Sequence, residues 1–267
     1  MITTWTSGAS GEHMPSSILL ELAPIVRRHP WWLARSALVL DLLARHGLSS
    51  RGRVLDAGCG WGTTLLALER AGFAATGLDV VRPLLARLDG ERSGRDLIEA
   101  DLTQDWPEAA RPALGTFDAV LALDVIEHLD DDRAAVSRLA ALARPGGLVV
   151  VSVPALPELF SEFDSVQGHR RRYSPETLRD AFAGSGLDVA RVSWWGAWMV
   201  PILARRRSKR RGIPGEPAES VYRKYLRLPP WPAPWALRLA FALERRRALA
   251  DRLTTGTSLF ALARRTC

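Results

Sequence analysis

Along residues 53–193 short unbroken apolar runs alternate with stretches of helical spacing. Unbroken runs of about four to eight residues suit strands buried on both faces, and their alternation with helical patterns implies βαβ units on a parallel sheet. RVLDAG (53–58) is the first predicted strand and 61–71 the first helix of this unit. ATGLDV (75–80), DLIEAD (96–101), FDAVLAL (117–123) and LVVVSV (148–153) follow as strands two to five. Pro83 stands where a helix can start, since its missing N–H costs nothing in the first turn. The turn Pro145-Gly146-Gly147 stops a helix and feeds the fifth strand. Ser174-Pro175-Glu176 opens another helix, with serine as cap, proline in the first turn and an acid near the positive end of the dipole. Gly184 and Gly186 end it. DVARVSWW (188–195) and TSLFALARR (257–265) supply the last two strands.

Two regions lie outside this pattern. HPWWLARSALVLDLLARHGL (29–48) reads as a helix packed before the first strand. Between the last two strands come WWGAWMVPILA (194–204), the basic run RRRSKRR (205–211) and a proline-rich stretch (214–234). PWALRLAFALERRRALADRL (234–253) then reads as an amphipathic helix. The expected organisation is an N-terminal helical cap (1–50), an α/β core (51–195), a basic helical insert (196–255) and a last core strand (256–267). No repeat is visible, and no apolar run reaches the roughly 18–20 residues of a spanning helix.

Composition adds one asymmetry. Residues 1–190 hold 19 basic and 25 acidic side chains, whereas 191–267 hold 17 basic and 4 acidic. A mildly acidic body bearing a strongly basic C-terminal part points to an anionic partner, although a solvated arginine-rich surface would read the same way. Only Cys59 and Cys267 are present, so no disulfide framework is expected. The N-terminus lacks the basic stretch and apolar run of a secretory leader, which leads to the expectation of a cytoplasmic location.

Chemistry concentrates in Val54-Leu55-Asp56-Ala57-Gly58-Cys59-Gly60-Trp61-Gly62, between a strand and a helix. Glycines there allow sharp turns and bring backbone N–H groups to a ligand, while the helix N-terminus favours a carboxylate. Asp79 ends the second strand, where an acid can accept from both hydroxyls of a ribose. A dinucleotide fingerprint would need G-x-G-x-x-G, but Thr63 occupies its third glycine position and the extra glycine falls at 62. Cys59 reads as a small loop residue, since no neighbouring cation lowers its pKa.

The D-x-G-x-G-x-G spacing resembles motif I of the class I S-adenosylmethionine (SAM)-dependent methyltransferases. Asp79 with Val80, Asp101-Leu102, FDAVLALDVIEHLDD (117–131) and PGGLVVVSVP (145–154) match further landmarks of that family. The resemblance covers about residues 30–195 and 257–265. It implies a Rossmann-like α/β fold, a seven-stranded, mostly parallel sheet of order 3-2-1-4-5-7-6 with the final strand antiparallel. SAM is the implied cofactor, held by Asp56, Gly58, Cys59, Gly60, Gly62, Asp79, Val80, Asp101, Leu102 and Asp124.

Methyl transfer from a sulfonium is an in-line displacement, so the protein supplies positioning and, where needed, a base. Asp124, Glu127 and His128 follow strand four, and in families of this resemblance that segment lines the methyl side. His128 is the first candidate base, with a helix cap or a cofactor-side packing group as the competing reading. FDSVQGHRRRY (163–173) resembles a loop of a methyltransferase subset seen in envelope-glycan, lipid and secondary-metabolite pathways. His169 and Tyr173 are further catalytic candidates. Arg171 and Arg172 suit phosphate or carboxylate recognition, or else pair with acids of the body and pin the loop. Trp31 and Trp32 cover cofactor or acceptor, or fill a core. With Glu127, they complete the candidate substrate contacts. No metal is expected.

The expected function is methyl transfer to oxygen, nitrogen or carbon of a small-molecule or lipid-linked acceptor. A methyltransferase-like scaffold or binding subunit at a membrane is the alternative. Tryptophans 194, 195, 198, 231 and 235 among arginines suggest that the insert rests peripherally on the anionic inner face of the cytoplasmic membrane. A helical lid or dimer surface is the competing reading, and nucleic-acid binding by the basic run stands third. The oligomeric state is open.

Overall fold

The computed structural model describes residues 2–6, 16–209, 220, 221, 223, 226 and 233–266. Eight strands form one sheet: β1 (Ile2–Thr4), β2 (Arg53–Ala57), β3 (Ala74–Asp79), β4 (Asp96–Glu99), β5 (Phe117–Leu123), β6 (Ala143–Pro154), β7 (Leu187–Trp195) and β8 (Ser258–Arg265). Their spatial order is β1-β4-β3-β2-β5-β6-β8-β7. Among the described residues only β8 runs antiparallel, against both β6 and β7. Without β1 this is the expected seven-strand order. The eighth strand corrects the reading of residues 1–50 as a purely helical cap. Ile2 pairs with Leu97 in parallel register. Three residues carry no readable alternation, so their pairing with the β4 edge leaves no signal in the sequence.

Each central strand feeds two cores, because successive side chains leave opposite faces of the sheet. In β5, Val120 and Ala122 enter one core with Val136 and Leu139, while Ala119, Leu121 and Leu123 enter the other with Val39 and Leu42. Helices therefore cover both sides. On one lie α5 (Asp132–Leu142) and α7 (Pro175–Ala181). On the other lie α2 (Pro30–Arg45) and α3 (Thr63–Arg70). Leu85 and Leu88 of α4 (Arg82–Glu91) pack with Leu65 of α3 beneath the β3–β4 edge. Between β6 and α7 the short α6 (Glu162–Val166) carries the connecting loop. Ser174 caps α7 as expected, accepting from Thr177 N at 3.2 Å. The Pro145–Gly147 turn is absorbed into the start of β6, with a register shift against β5.

The expected insert provides α8 (Val200–Lys209) and α9 (Ala233–Leu249). Arg210 and Arg211 of the basic run, and most of the proline-rich stretch with Trp231, lie outside the described residues. Rather than standing apart, α9 is joined to the body. Phe241 meets Trp31 at 5.6 Å and Trp195 at 5.7 Å between ring centroids. Arg245 pairs with Asp41 at 3.2 Å. Arg45 Nη1 donates to the Leu249 carbonyl at 2.9 Å. Among the described residues no helix is long and apolar enough to cross a membrane.

A candidate cofactor and acceptor cavity

The carboxyl ends of β2, β3, β4 and β5 open into one cavity of about 1360 Å³, roofed by α1 (Ser16–Val26), α2 and the α6 loop. Single small-molecule sites occupy roughly 300–1,000 Å³, so this one has room for two ligands side by side.

Its first half is the glycine loop. Gly58, Gly60 and Gly62 all adopt positive φ, a region that side-chain-bearing residues rarely enter. A Cβ on Gly58 would stand 2.4 Å from Val125 Cγ2. Gly62 is the N-cap of α3 and does not line the cavity, whereas Gly58, Cys59 and Gly60 do. Asp79 is buried, and its carboxylate accepts from Gly60 N at 2.7 Å and Val81 N at 2.8 Å. These bonds fix the acid to the loop it follows in sequence by some twenty residues. Asp101 accepts from Thr103 N at 2.8 Å and Thr103 Oγ1 at 2.7 Å, and it lines the cavity with Val80 and Leu102. Burial pushes the Asp56 carboxyl up to about 7; Arg35 opposes this and Asp79 adds to it. The Cys59 thiol is driven well above its ordinary range by burial and then by Asp79 and Asp56, so it is inert as a nucleophile. Thr63 Oγ1 is buried without a hydrogen-bond partner and lines the cavity. An orphan hydroxyl, a loop of positive-φ glycines and a fixed acid fit a ligand with a ribose diol and an amino-acid end.

The roof also closes electrostatically. Arg35 of α2, 8% exposed, ion-pairs with Asp124. Asp124 sits at φ 58 and accepts from Ser152 Oγ at 3.0 Å. Sequence reading missed Arg35, although it falls one helical turn after Trp31 and Trp32, the spacing that puts residues on one face. Trp32 stands edge-on to His29 and Trp61, with centroids 4.9 and 6.4 Å away. Trp31 and Trp32 both line the cavity, and both also pack in apolar clusters. On the far side, Trp61 Nε1 donates to the Leu19 carbonyl at 2.6 Å, tying α1 across the glycine loop.

The second half holds the histidines. His128 and His169 meet edge to face, centroids 4.8 Å apart, and both line the cavity. His128 Nδ1 lies 3.3 Å from the Gly168 carbonyl. A carbonyl can only accept, so the ring proton sits on Nδ1 and Nε2 is the basic atom. His169 Nδ1 lies 3.0 Å from Asp164 Oδ1, and Asp164 also takes two bonds from Arg172, at 2.8 and 3.1 Å. Burial alone would raise the Asp164 carboxyl, but the bonds from His169, Arg172 and Ser161 outweigh it and hold it at about 2. Leu159, Phe160, Phe163, Met199, Leu203 and Leu226 supply an apolar part of the same cavity's wall.

Several candidate contacts are corrected by this geometry. Tyr173 does not line the cavity. It is 1% exposed, and its hydroxyl donates to Asp132 at 2.8 Å. Burial and that acid raise its pKa, so it is no ready proton donor or base. Arg171 binds the Leu129 and Asp130 carbonyls at 3.1 and 2.9 Å, and Arg172 is committed to Asp164 and the Ala155 carbonyl. Both arginines pin the loop; Arg171 does not line the cavity, whereas Arg172 does. Glu127 is fully buried and does not line the cavity. Both its carboxylate oxygens lack hydrogen-bond partners, and Oε1 lies 3.9 Å from His169 Nε2. Glu127, His128 and His169 bring donor atoms within 4.8 Å of one another, a juxtaposition the sequence reading did not foresee.

Glu127 carries a stability prediction. Burial, then Asp124, raises its pKa well above the carboxylate range. The folded state therefore keeps a proton that the unfolded chain loses, and stability falls as pH rises past the ordinary glutamate value of about 4.5. Glu127→Gln is neutral throughout. Thermal unfolding should show the melting-temperature gain of E127Q over wild type growing from about pH 5 to pH 8; a pH-independent difference would contradict the buried, protonated carboxyl.

Comparison with known proteins places the chain in a family. A methyltransferase-domain family model matches residues 31–192. A ubiquinone biosynthesis O-methyltransferase of Xylella fastidiosa (strain M23) is 35% identical over 154 residues, covering 56% of this chain and 55% of that protein. The chain thus spans just over half the length of such curated relatives. A SAM-dependent methyltransferase from Archaeoglobus fulgidus superposes with a TM-score of 0.52 at 18% identity, covering 86% of this chain and 94% of that one. Haemonchus contortus phosphoethanolamine N-methyltransferase 2, solved with S-adenosylhomocysteine, gives 0.52 at 22% identity over 85% of this chain and 52% of that one. At such identities the structures speak for the fold.

Proposed function

The chain belongs to the SAM-dependent methyltransferase-domain family, and on that premise we propose that it methylates a hydroxyl oxygen on an acceptor with an apolar body. The observation that carries this reading is the pairing of His128 and His169 in the same cavity that Leu159, Phe160, Met199 and Leu203 line with apolar side chains. The name of the Xylella relative, an O-methyltransferase of ubiquinone biosynthesis, supports oxygen as the acceptor atom.

When bound, SAM supplies a methyl group on a sulfonium, already activated toward displacement. The residues fitted to hold it are Asp79 for the ribose, Asp101 and Leu102 beside the base, and Asp56 with the Gly58–Gly60 loop for the amino-acid end. The rest of the chemistry belongs to the chain. The apolar wall orients the acceptor, Arg35–Asp124 and α1 close the roof against water, and His128 Nε2 takes the hydroxyl proton as the oxygen becomes nucleophilic. Asp164 and Arg172 hold His169 as the fixed neighbour of that ring.

Asp56 makes cofactor binding pH-dependent. A ligand ammonium favours the ionised carboxylate, so binding below the Asp56 value of about 7 must expel a proton. Affinity for S-adenosylhomocysteine should rise from about pH 6 to pH 8, by no more than about tenfold per unit. Calorimetry in buffers of different ionisation enthalpy should find proton release at the lower pH that vanishes in Asp56→Asn. Equal release by both proteins would assign the proton elsewhere. Methyl transfer itself is tested with labelled SAM and a panel of phenols differing in apolar substituents.

A further inference from the structure

The outward face of α9 is unlike the surface of an isolated soluble helix. Trp235, Leu239 and Leu243 are 63%, 47% and 54% exposed. Spaced four residues apart, they form one stripe about 12 Å long at 1.5 Å rise per residue. Exposed Ala236 and Ala242 fill the space between them, and exposed Arg238, Arg246 and Arg247 flank them. The acid of this helix, Glu244, is 5% exposed and faces the body. The stripe therefore offers apolar side chains and cations with no acid among them. Scattered single apolar residues are ordinary on a surface, but a contiguous stripe marks a contact.

We propose that this face of α9 docks on an anionic lipid bilayer, the helix lying in the interfacial plane with Trp235, Leu239 and Leu243 inserted. Leucines insert among acyl chains, tryptophan settles at the headgroup boundary, and arginines reach anionic phosphates. Charge selects this occupant over the others. A nucleic acid would use the cations but gain nothing from the leucines. A second copy would bring cations together with no acid on the face to pair them. The segment 191–267, with 17 basic and 4 acidic residues, extends the same complementarity.

The opposite face of α9 connects the surface to the site. Phe241 packs on Trp198 at 5.0 Å between centroids, and Met199, next in the chain, lines the cavity with Leu203 of α8. Docking by this helix would thus bring the Met199 part of the cavity wall close to the bilayer that holds an apolar acceptor. This part rests on the apolar-acceptor reading above, whereas the docking itself does not.

The test is flotation of the full-length protein with phosphatidylglycerol–phosphatidylcholine vesicles at low salt, with S-adenosylhomocysteine calorimetry alongside. Wild type should float with the anionic vesicles and not with pure phosphatidylcholine. The variant W235Q/L239Q/L243Q should partition at least about tenfold more weakly while its S-adenosylhomocysteine affinity is unchanged. Should that variant lose cofactor affinity, the single variants Trp235→Gln and Leu243→Gln replace it, each with an intermediate partition expected. Wild type indifferent to anionic vesicles would overturn the proposal, as would variants that float like wild type. So would a wild-type dimer that the substitutions dissolve, since the stripe would then belong to a second copy. Lost flotation with intact methyl transfer to soluble phenols would leave the function standing, and the reverse would leave the docking standing.

Discussion

His128→Ala should lower methyl transfer by roughly two to four orders of magnitude, the usual contribution of a positioned general base, with affinity for S-adenosylhomocysteine unchanged. The ring is half-buried in the cavity wall, and its Nδ1 contact with Gly168 leaves Nε2 as the basic atom. Its removal takes away a proton acceptor but none of the residues fitted to the cofactor. The loss should fall on kcat, and it should shrink as pH rises toward the acceptor's own pKa, where the hydroxyl ionises without help. His169→Ala provides the contrast. It breaks the bond to Asp164 and should disturb the loop that carries Arg170 and Arg172, so both kcat and KM should suffer. A His128→Ala enzyme with wild-type kcat at neutral pH would remove this histidine from the chemistry.

Asp79→Ala should weaken S-adenosylhomocysteine by about 3 kcal/mol, on the order of a hundredfold. Two effects combine. The ribose loses a charged acceptor, and the Gly60 and Val81 N–H groups lose the carboxylate that fixes the loop. Asp79→Asn separates them. Its side-chain oxygen can still accept from the loop, so it should keep more of the affinity than alanine. Calorimetric titration of the three proteins decides the matter, and equal affinity in all three would place the ribose elsewhere.

The β-strands and the cofactor half were legible because local patterns encode them. Val54–Ala57 and Phe117–Leu123 read as buried strands because apolar side chains fill both faces, and the glycine loop reads because positive φ demands glycine. Asp79 and Asp101 follow at strand ends and need no long-range knowledge. The acceptor half was harder. Arg171, Arg172 and Tyr173 have the chemistry of substrate contacts, and only folding shows that Asp132, Asp164 and backbone carbonyls already hold them. Glu127 beside His128 reads like a site acid, yet the 3-10 turn at Ile126–His128 sends it into the core. Arg35 was overlooked since its partner, Asp124, lies 89 residues away. Strand β1 escaped because three residues cannot display a period. What the sequence hid were pairings between distant residues, which no local pattern records.

The measurement that tests the account most directly is transfer of labelled methyl from SAM to phenols that share one hydroxyl pattern and differ in an apolar tail. The account predicts methyl ethers as products, with kcat/KM rising as the tail lengthens to fill the wall of Leu159, Phe160, Met199 and Leu203. No label on any hydroxyl, from protein that binds S-adenosylhomocysteine normally, would contradict it.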